Sequence, residues 1–325
     1  MRILIVSQVY WPDTASTAQH LADLGRELAS AGHEVHVLCS KRLYEDPGRS
    51  LPAEEIHDGV RIHRLRQTWF SKRTVPGRLC NFASFNASLL GRLLCLRSKH
   101  FDLALGMTSP PLVSFLGAFV AAWKHWKFCY WAMDLQPELA IQAGMLKANS
   151  LVARVLTGMG DYIFRHSGRV IALDGYMADH IRNRGAREGA VEVLPVWPVA
   201  EAPWSGRRLE NPFRKAHGFG DKLVIMYSGN HAVVHSLDTL LQAALTLRDS
   251  AGFLFVFVGG GIRVADVTAF KKRHQLENIR QLPLQPRSEI HVSLASADLH
   301  VVVMGDGQVG YTHPNKVYGS MFAGR

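Results

Sequence analysis

The sequence predicts an α/β protein made of two Rossmann-like domains, each a parallel sheet covered by helices. Apolar runs of strand length alternate with segments of helical period from the first residue onward. This alternation lapses into Pro, Gly, Arg and Asn between Pro195 and Asp221 and restarts at Leu223. The chain has 325 residues, and at roughly 150 residues per domain that length also indicates two domains.

The alternation assigns each half its own set of elements. In the first half we predict strands at 3–6, 35–39, 60–65, 103–107, 128–132, 170–173 and 191–196, and helices at 17–30, 79–96, 151–164 and 176–184. In the second half we predict strands at 223–227, 253–258, 279–282 and 299–304, and helices at 237–247, 264–274, 288–297 and from 317. The boundary is placed between residues 198 and 199. Ligands of such sheets bind at the carboxyl ends of strands, so we expect a site in a cleft that the two domains face.

The composition limits which cell compartment and which class of partner we expect. The formal net charge is +10, with 20% charged and 47% hydrophobic residues, which indicates a folded protein with an anionic partner. Phosphorylated small molecules, anionic lipid headgroups and nucleic acid all fit that charge. Cys39, Cys80, Cys95 and Cys129 lie far apart without a C-x-x-C pair, so we expect buried thiols in a reducing compartment. Because no apolar run is long enough for an export signal or a membrane span, we expect a cytoplasmic protein.

Several nucleotide-binding motifs are absent from the sequence. Ser7 to Asp13 follow the first strand where a G-x-G-x-x-G turn would bind a dinucleotide, and no P-loop or D-x-D pair occurs. We therefore expect no cofactor, and a ligand bound without a metal ion.

Three segments nevertheless favour a phosphate site. Residues 227–230 (Y-S-G-N) end a strand before a helix whose first amides could hold phosphate, and residues 258–261 (V-G-G-G) would let a ligand approach the backbone. Residues 312–316 (T-H-P-N-K) place a lysine beside a helix N-terminus. Each segment alone could be an ordinary turn; their combination points to a bound phosphate.

These segments, in this order, resemble the donor half of a family 4 glycosyltransferase with the GT-B fold. Residues 32–37 (G-H-E-V-H-V) are similar to the family's second strand, 133–138 (M-D-L-Q-P-E) to its D-L-x-P-E segment, and 296–299 (S-A-D-L) to its A-A-D strand entry. The resemblance implies retaining, metal-independent transfer of a sugar. The nucleotide-sugar donor would be bound by the second domain, and a polysaccharide or lipid-linked acceptor by the first.

The resemblance also implies roles for individual residues. Lys316 would neutralise the leaving phosphate, and Asp134 would face the sugar. The other donor-binding residues would be Ser228, Gly229 and Asn230 at the diphosphate, Gly259 and Gly260 beneath the nucleotide, Leu282, Pro283 and Leu284 at the base, and His313 and Asn315 beside the lysine. Ser16 and Thr17 would lie near the phosphates or the acceptor.

The sequence departs from the family pattern at several of these places. Val233 stands where many relatives have arginine, His235 and Ser236 where a basic residue or glycine follows, Gly319 where a glutamate grips the ribose, and Met133 where a histidine is common. Phosphate neutralisation would then depend on Lys316 with His231, His235 or His313. We interpret this as a subgroup with a differently built donor site; loss of activity is the alternative. Relatives continue beyond the point that corresponds to Arg325, so we expect a truncated chain with an incomplete second domain.

Positive charge is concentrated between Arg61 and Lys99, which includes nine basic residues and neither Asp nor Glu. Trp69, Phe70, Phe82 and Phe85 are interleaved with them, and the helix predicted at 79–96 is amphipathic. Arg73, Arg78 and Arg92 could therefore bind an anionic membrane surface from the cytoplasmic side. A solvated basic face with its aromatic residues in the core is the alternative, and no motif favours nucleic acid.

Two other functions remain open from the sequence. A sugar-nucleotide epimerase of the same fold would need carboxylates and histidines converging on the donor sugar. A degenerate or truncated subunit that binds a sugar nucleotide without turnover would fit Val233, Gly319 and the position of Arg325.

Overall fold

The computed structural model describes residues 1–43, 46, 48–70, 74–108, 111–198, 203–232, 235–305 and 307–324. The chain forms two compact units, one made of Met1–Pro195 with Val309–His313 and the other of Val196–Gln308 with Pro314–Arg325. The sequence had suggested a continuous second domain from residue 199, whereas the chain returns to the first unit at Val309–His313. Backbone pairing holds this return, because Asp134 and Thr312 form an antiparallel bridge and the Leu135 N–H donates to the Tyr311 carbonyl at 2.7 Å.

The strands and helices alternate along the chain. The strands are β1 (Arg2–Val6), β2 (Glu34–Ser40), β3 (Glu54–His57), β4 (Val60–Leu65), β5 (Leu103–Met107), β6 (Lys127–Trp131), β7 (Arg169–Ala172), β8 (Val191–Val193), β9 (Leu223–Ser228), β10 (Phe253–Val258), β11 (Ile279–Leu282) and β12 (Leu299–His300). The α-helices are α1 (Ser16–Ser30), α2 (Val75–Cys95), α3 (Pro111–Lys124), α4 (Glu138–Gln142), α5 (Leu151–His166), α6 (Gly175–Asn183), α7 (Pro212–Ala216), α8 (Asp238–Thr246), α9 (Val264–His274), α10 (Ile290–Ala295) and α11 (Lys316–Ala323).

Each unit contains one twisted sheet. The first sheet has the strand order β3-β4-β2-β1-β5-β6-β7-β8, and only the β3–β4 pair is antiparallel. The second has the order β11-β10-β9-β12 and its pairs are parallel. Strand β10 is apolar throughout because both of its faces are covered: Phe255 and Phe257 pack into one buried cluster, and Leu254 and Val256 into another.

Most predicted elements are present, helices α3, α4 and α7 were not predicted, and several other segments differ in extent or kind. The strand predicted at 299–304 ends at His300, where its pairing with β9 ends, and the one at 191–196 ends at Val193. The predicted helix 288–297 is a 3₁₀ turn at Arg287–Glu289 followed by α10. The charged strand β3 escaped prediction, although Asp58 and Gly59, with φ of 50° and 77°, form the Asp-Gly hairpin turn that signals it.

The four cysteines differ in exposure. Cys39 is buried in β2 and Cys129 is half-buried in β6, and burial raises the pKa of both thiols to about 12. Cys80 and Cys95 are exposed on α2. The expectation of buried thiols was therefore wrong for these two, because they lie on the solvent side of an amphipathic helix. Among the described helices, none is both long and apolar enough to cross a membrane.

Asp298, in the segment that resembles the A-A-D strand entry, fixes the base of the second sheet. Its carboxylate accepts hydrogen bonds from the Val224 N–H at 2.8 Å, from Arg208 at 2.9 Å and from the buried Arg214 at 3.1 Å. Burial opposes ionisation of Asp298, but the bonds from Arg208, Val224 and Arg214 outweigh it and hold its pKa below the usual range. The Asp298 carboxylate thus links the start of β9 to Arg208 and Arg214, which lie in the segment before that strand.

Replacing Asp298 by Asn should destabilise the chain by about 3 kcal/mol, because it leaves the buried Arg214 charge without its counter-ion. Since the folded pKa is lowered, the stabilisation is present at neutral pH and is lost as the pH falls through that pKa. Urea unfolding at pH 7 measures the effect. Asp249→Asn, at a carboxylate that is 90% exposed, is the matched control and should change stability by less than about 0.5 kcal/mol; equal effects of the two variants would contradict this role.

Candidate active site

Two loops meet at the carboxyl ends of β9 and β10 in the second unit. The Gly229 N–H donates to the Val258 carbonyl at 2.9 Å, and the His231 N–H donates to the Gly260 carbonyl at 2.7 Å. The Gly259 N–H donates to the Leu282 carbonyl at the end of β11, also at 2.9 Å. Because parallel strands end at one edge of a sheet, the predicted S-G-N and G-G-G segments are neighbours.

Glycine is required where these loops touch. Gly229 and Gly259 have φ of 136° and 134°, values that residues with a Cβ rarely adopt. A Cβ on Gly259 would lie 2.1 Å from the Gly229 carbonyl oxygen. A Cβ on Gly260 would meet nothing within 4 Å. A Cβ on Gly261 would lie 2.6 Å from the His231 carbonyl oxygen. The close approach of the two backbones therefore depends on Gly259 and Gly261 and not on Gly260.

Lys316, the first residue of α11, lies over this pair of loops. Its Nζ is 5.4 Å from the centroid of the Tyr227 ring, a cation–π distance, and a Cβ on Gly229 would lie 2.4 Å from its Cε. Burial lowers the pKa of Lys316 to about 8. Within the ranges that the structure describes, no carboxylate forms an ion pair with it. The lysine thus places an uncompensated, partly desolvated cation beside backbone amides.

Two histidines that follow β9 contact carbonyl oxygens of the loops after β9 and β10. His231 is buried, with Nδ1 3.2 Å from the Gly260 carbonyl oxygen. His235 has Nδ1 3.1 Å from the Asn230 carbonyl oxygen, to which the Tyr227 hydroxyl also donates at 2.8 Å. Burial and the charge of Lys316 lower the pKa of both rings. Both histidines are therefore neutral at pH 7, and in the second unit Lys316 is the predicted phosphate ligand that carries charge.

The other predicted donor residues surround these loops or follow them. Ser228 is half-buried at the end of β9, Asn230 is exposed, and Leu282 ends β11 before the exposed Pro283 and Leu284. Asn315 precedes α11, and its Oδ1 is buried without a hydrogen bond from any described residue. A Cβ at Gly319 would lie 3.1 Å from Leu294 Cδ1, so close packing of α11 on α10 accounts for glycine there.

The first unit holds Asp134 and His313. Thr312 donates to Asp134 Oδ1 at 2.5 Å; burial raises the pKa of the Asp134 carboxyl, and the Thr312 bond opposes this. His313 has Nδ1 2.8 Å from Asp174 Oδ2, so His313 belongs to a different unit from Asn315 and Lys316. The sequence offered no signal for these pairs, because their members are more than 130 residues apart.

The remaining predicted residues lie on the surface or outside the described part. Ser16 is exposed and Thr17 half-buried at the start of α1, whose N-cap, Ala15, supplies no side-chain hydrogen bond. Arg78 and Arg92 are exposed on α2; Arg73 and Val233 lie outside the described residues, and Met133 is buried. Of the aromatic residues interleaved with the basic ones, Phe85 is in the core, whereas Trp69, Phe70 and Phe82 are exposed.

Among the described side chains, no group of three or more His, Cys, Asp or Glu is placed to hold a metal ion.

Residues 17–197 match the model of the glycosyl transferase 4-like domain family. This segment is more than half of the chain. The protein therefore belongs to that family, and the sequence-based assignment to a glycosyltransferase of family 4 is confirmed.

Individual relatives agree with this class. The probable glycosyltransferase WbjE of Pseudomonas aeruginosa is 23% identical over 74% of this chain and 60% of its own length. The putative colanic acid biosynthesis glycosyl transferase WcaI of Escherichia coli K12 is 23% identical over 98% of this chain and 80% of its own length. The chain thus spans less than two thirds of WbjE and a larger share of WcaI.

Solved structures show the same fold. HepE of Anabaena, crystallised with UDP-glucose, has a TM-score of 0.67 and 14% identity, covering all of this chain and 79% of HepE. WaaG, a glycosyltransferase involved in lipopolysaccharide biosynthesis, has a TM-score of 0.71 and 15% identity, covering 99% of this chain and 79% of WaaG. The predicted α/β class with Rossmann-like GT-B sheets is confirmed.

The glycine contacts give a matched pair of variants. Gly259→Ala should force the β9 and β10 loops apart, because its Cβ meets backbone that cannot turn away, whereas Gly260→Ala places its Cβ in open space. We expect Gly259→Ala to lower the melting temperature by several degrees, equivalent to a loss of about 1–3 kcal/mol, and Gly260→Ala to change it little. Thermal unfolding followed by circular dichroism measures both. Equal melting temperatures would show that the loops do not touch as described.

Proposed function

We propose that this protein is a retaining, metal-independent glycosyltransferase that moves a sugar from a nucleotide-sugar donor to a polysaccharide or lipid-linked acceptor. The observation that carries the proposal is the Lys316 ammonium beside the glycine loops of β9 and β10, partly buried and without a carboxylate partner among the residues that the structure describes. Support also comes from relatives: HepE was crystallised with UDP-glucose, and WcaI is named for colanic acid biosynthesis.

The proposed chemistry follows from where charge develops. The bond between the anomeric carbon and the diphosphate oxygen breaks, and the electron pair stays with the diphosphate. A new bond forms from the same carbon to an acceptor hydroxyl oxygen, on the same face of the sugar, and the proton of that hydroxyl passes to the departing diphosphate oxygen. Lys316 and the amides near Gly229 and Gly259 would stabilise the growing negative charge on the leaving group.

The donor site would differ from the family pattern in having fewer charges. With His231 and His235 neutral and bound to the loop, the diphosphate would be met in the second unit by Lys316 and backbone amides.

In the first unit, we assign Asp134 a role towards the sugar. Its carboxyl is held in place by the Thr312 hydroxyl, and the backbone amides of Met133 and Asp134 contact the Thr108 hydroxyl oxygen at 2.8 and 3.4 Å. A fixed carboxyl with a raised pKa is suited to accept a hydrogen bond from a sugar hydroxyl or to share its proton.

Product analysis separates this proposal from the two alternatives. The chain is incubated with a panel of nucleotide sugars and a lipid-phosphate acceptor, with thermal shift as the readout of binding. A glycosylated acceptor and a free nucleoside diphosphate are expected. Thermal stabilisation without any product would instead indicate a binding subunit, and release of an epimeric sugar nucleotide would indicate an epimerase; either result would overturn the proposal.

Lys316 should make diphosphate binding depend on pH. In the free chain its pKa is about 8, so the charged form is present below pH 8 and is lost as the pH rises above it. We expect the affinity for uridine diphosphate to fall by up to about tenfold per pH unit above pH 8, the limit for one required proton. Lys316→Ala should bind at least about tenfold more weakly at pH 7 and lose this pH dependence.

Lys272→Ala is the control for the Lys316 experiment, because Lys272 is an exposed lysine of α9 in the same unit. Calorimetric titration between pH 7 and 9.5 gives the affinities. If Lys316→Ala bound uridine diphosphate as the unmodified chain does, the lysine would not contact the phosphates.

We also propose that α2 places the chain at the cytoplasmic face of an anionic membrane. Arg78 and Arg92 are exposed together with Leu79, Phe82 and Leu94, the mixture of basic and apolar groups that interfacial helices present. The Arg78→Glu, Arg92→Glu double variant should no longer sediment with phosphatidylglycerol vesicles, while phosphatidylcholine vesicles bind neither form. Arg273→Glu, on the second unit, is the control; failure of the unmodified chain to sediment would end the proposal.

A further inference from the structure

A cavity of about 340 Å³ lies on one face of the first sheet. Its apolar walls are Leu4 of β1, Leu38 of β2, Leu96 at the end of α2 and Phe101. This volume is in the range of small-molecule pockets, which span roughly 300–1,000 Å³. The cavity belongs to the first unit, whereas the glycine loops and Lys316 belong to the second.

The polar lining of the cavity is mostly basic. It consists of Arg2, His36, His63, Arg92 and His100, with Glu34 as the carboxylate. Glu34 accepts from His36 Nε2 at 3.0 Å, and Arg2 is paired with Asp102 at 3.2 Å. Glu34, His36 and Arg2 are therefore already engaged.

Two cavity groups remain available to a ligand. Arg92 has no hydrogen bond or ion pair to any residue in the described part of the chain. His100 accepts the Arg97 N–H at Nδ1, at 3.2 Å, so the proton of its neutral ring lies on Nε2 and is free to be donated. A guanidinium and an imidazole N–H thus line the same cavity without an acceptor.

The two other histidines of the lining contact each other and two carboxylates. His36 Nδ1 is 3.0 Å from His63 Nε2, and the chain of contacts ends in Glu34 Oε1 on one side and Glu54 Oε1, 3.3 Å from His63 Nδ1, on the other. Burial lowers the pKa of His63, and the charge of Arg92 lowers it further. The two rings are thus engaged with each other and with carboxylates, and they leave Arg92 and His100 as the ligand-facing groups.

We propose that this cavity binds the phosphate group of a small organic phosphate ester, with Arg92 and His100 as its ligands and the apolar walls around its organic part. A guanidinium fork matches two phosphate oxygens. Apolar walls favour an ester with a ring or a short chain over inorganic phosphate. The ester can be a lipid headgroup or a soluble metabolite, since both present the same group.

Calorimetric titration with phenyl phosphate at pH 7 and low salt tests the site. We expect saturable binding that is tighter than for inorganic phosphate, and at least about tenfold weaker in the Arg92→Gln, His100→Gln double variant. Both residues are exposed, so far-ultraviolet circular dichroism should show an unchanged fold. If phenyl phosphate did not bind at concentrations up to ~10 mM, where even a weakly held small ligand is detected, the proposal would be overturned. Equal affinity of the double variant and the unmodified chain would also overturn it.

Matched variants separate this cavity from the other proposed surfaces. Arg78→Gln, on the same helix but outside the cavity, should bind phenyl phosphate normally, and so should Lys316→Ala, which alters the proposed donor site. Loss of the phenyl phosphate affinity in Lys316→Ala would overturn the assignment to the cavity.

Vesicles distinguish the two sources of the ester. If the ligand is a lipid headgroup, His100→Gln should weaken sedimentation with phosphatidic acid vesicles. If it is a soluble ester, His100→Gln should weaken phenyl phosphate binding and leave sedimentation unchanged. Either result supports the site and shows whether the ester is a lipid headgroup or a soluble molecule. If His100→Gln weakened neither phenyl phosphate binding nor sedimentation, the proposal would be contradicted.

Discussion

The candidate donor site depends on the contact between two backbones at the ends of β9 and β10. The hypothetical Cβ of Gly259 falls 2.1 Å from the Gly229 carbonyl oxygen, so neither loop can hold its position with a larger residue at 259. The same glycines leave room for Lys316, whose side chain crosses Gly229 on its way to the Tyr227 ring. A steric requirement of the backbone thereby decides where the positive charge lies.

The electrostatics of this region follow from that packing. Lys316 is partly desolvated because it lies on the loops, and this lowers its pKa. Burial, together with the charge of Lys316, lowers the pKa of His231 and His235, which favours neutral rings that serve as hydrogen-bond partners of the loop carbonyls. A lysine without a carboxylate partner among the described residues, beside backbone amides, is a simple way to bind a diphosphate where the family pattern would use more basic residues.

The sequence predicted the parts of the molecule that local pattern determines. Strands β4, β5 and β10 and helix α9 have the bounds that apolar periodicity indicated. The S-G-N, G-G-G and P-N-K segments could be predicted because glycines after a strand and a lysine at a helix N-terminus suit a bound phosphate. Asp298 belongs to a motif that the sequence shows. Its structural role, the pairing with Arg208 and the buried Arg214, could not be predicted because these arginines lie 84 or more positions away in the sequence. The exposed Cys80 and Cys95 were misjudged because an amphipathic helix also places small thiols on its solvent side.

Long-range contacts account for most of what the sequence could not predict. The return of Val309–His313 to the first unit depends on the Asp134–Thr312 bridge, and it separates His313 from the lysine three residues later. The basic cavity beneath α2 likewise collects residues from β1, β2, β4 and the end of α2 that no sequence spacing connects. The concentration of charge between Arg61 and Lys99 was visible; the presence of a cavity beside it was not.

NMR of the labelled Lys316 side chain, with and without uridine diphosphate, decides whether this lysine is the cation that binds the diphosphate. We predict a pKa near 8 in the free chain and a clear rise when the diphosphate binds, because the bound anion stabilises the charged ammonium. A pKa near the ordinary lysine value of about 10.4 in the free chain, or one that does not change on binding, would contradict it.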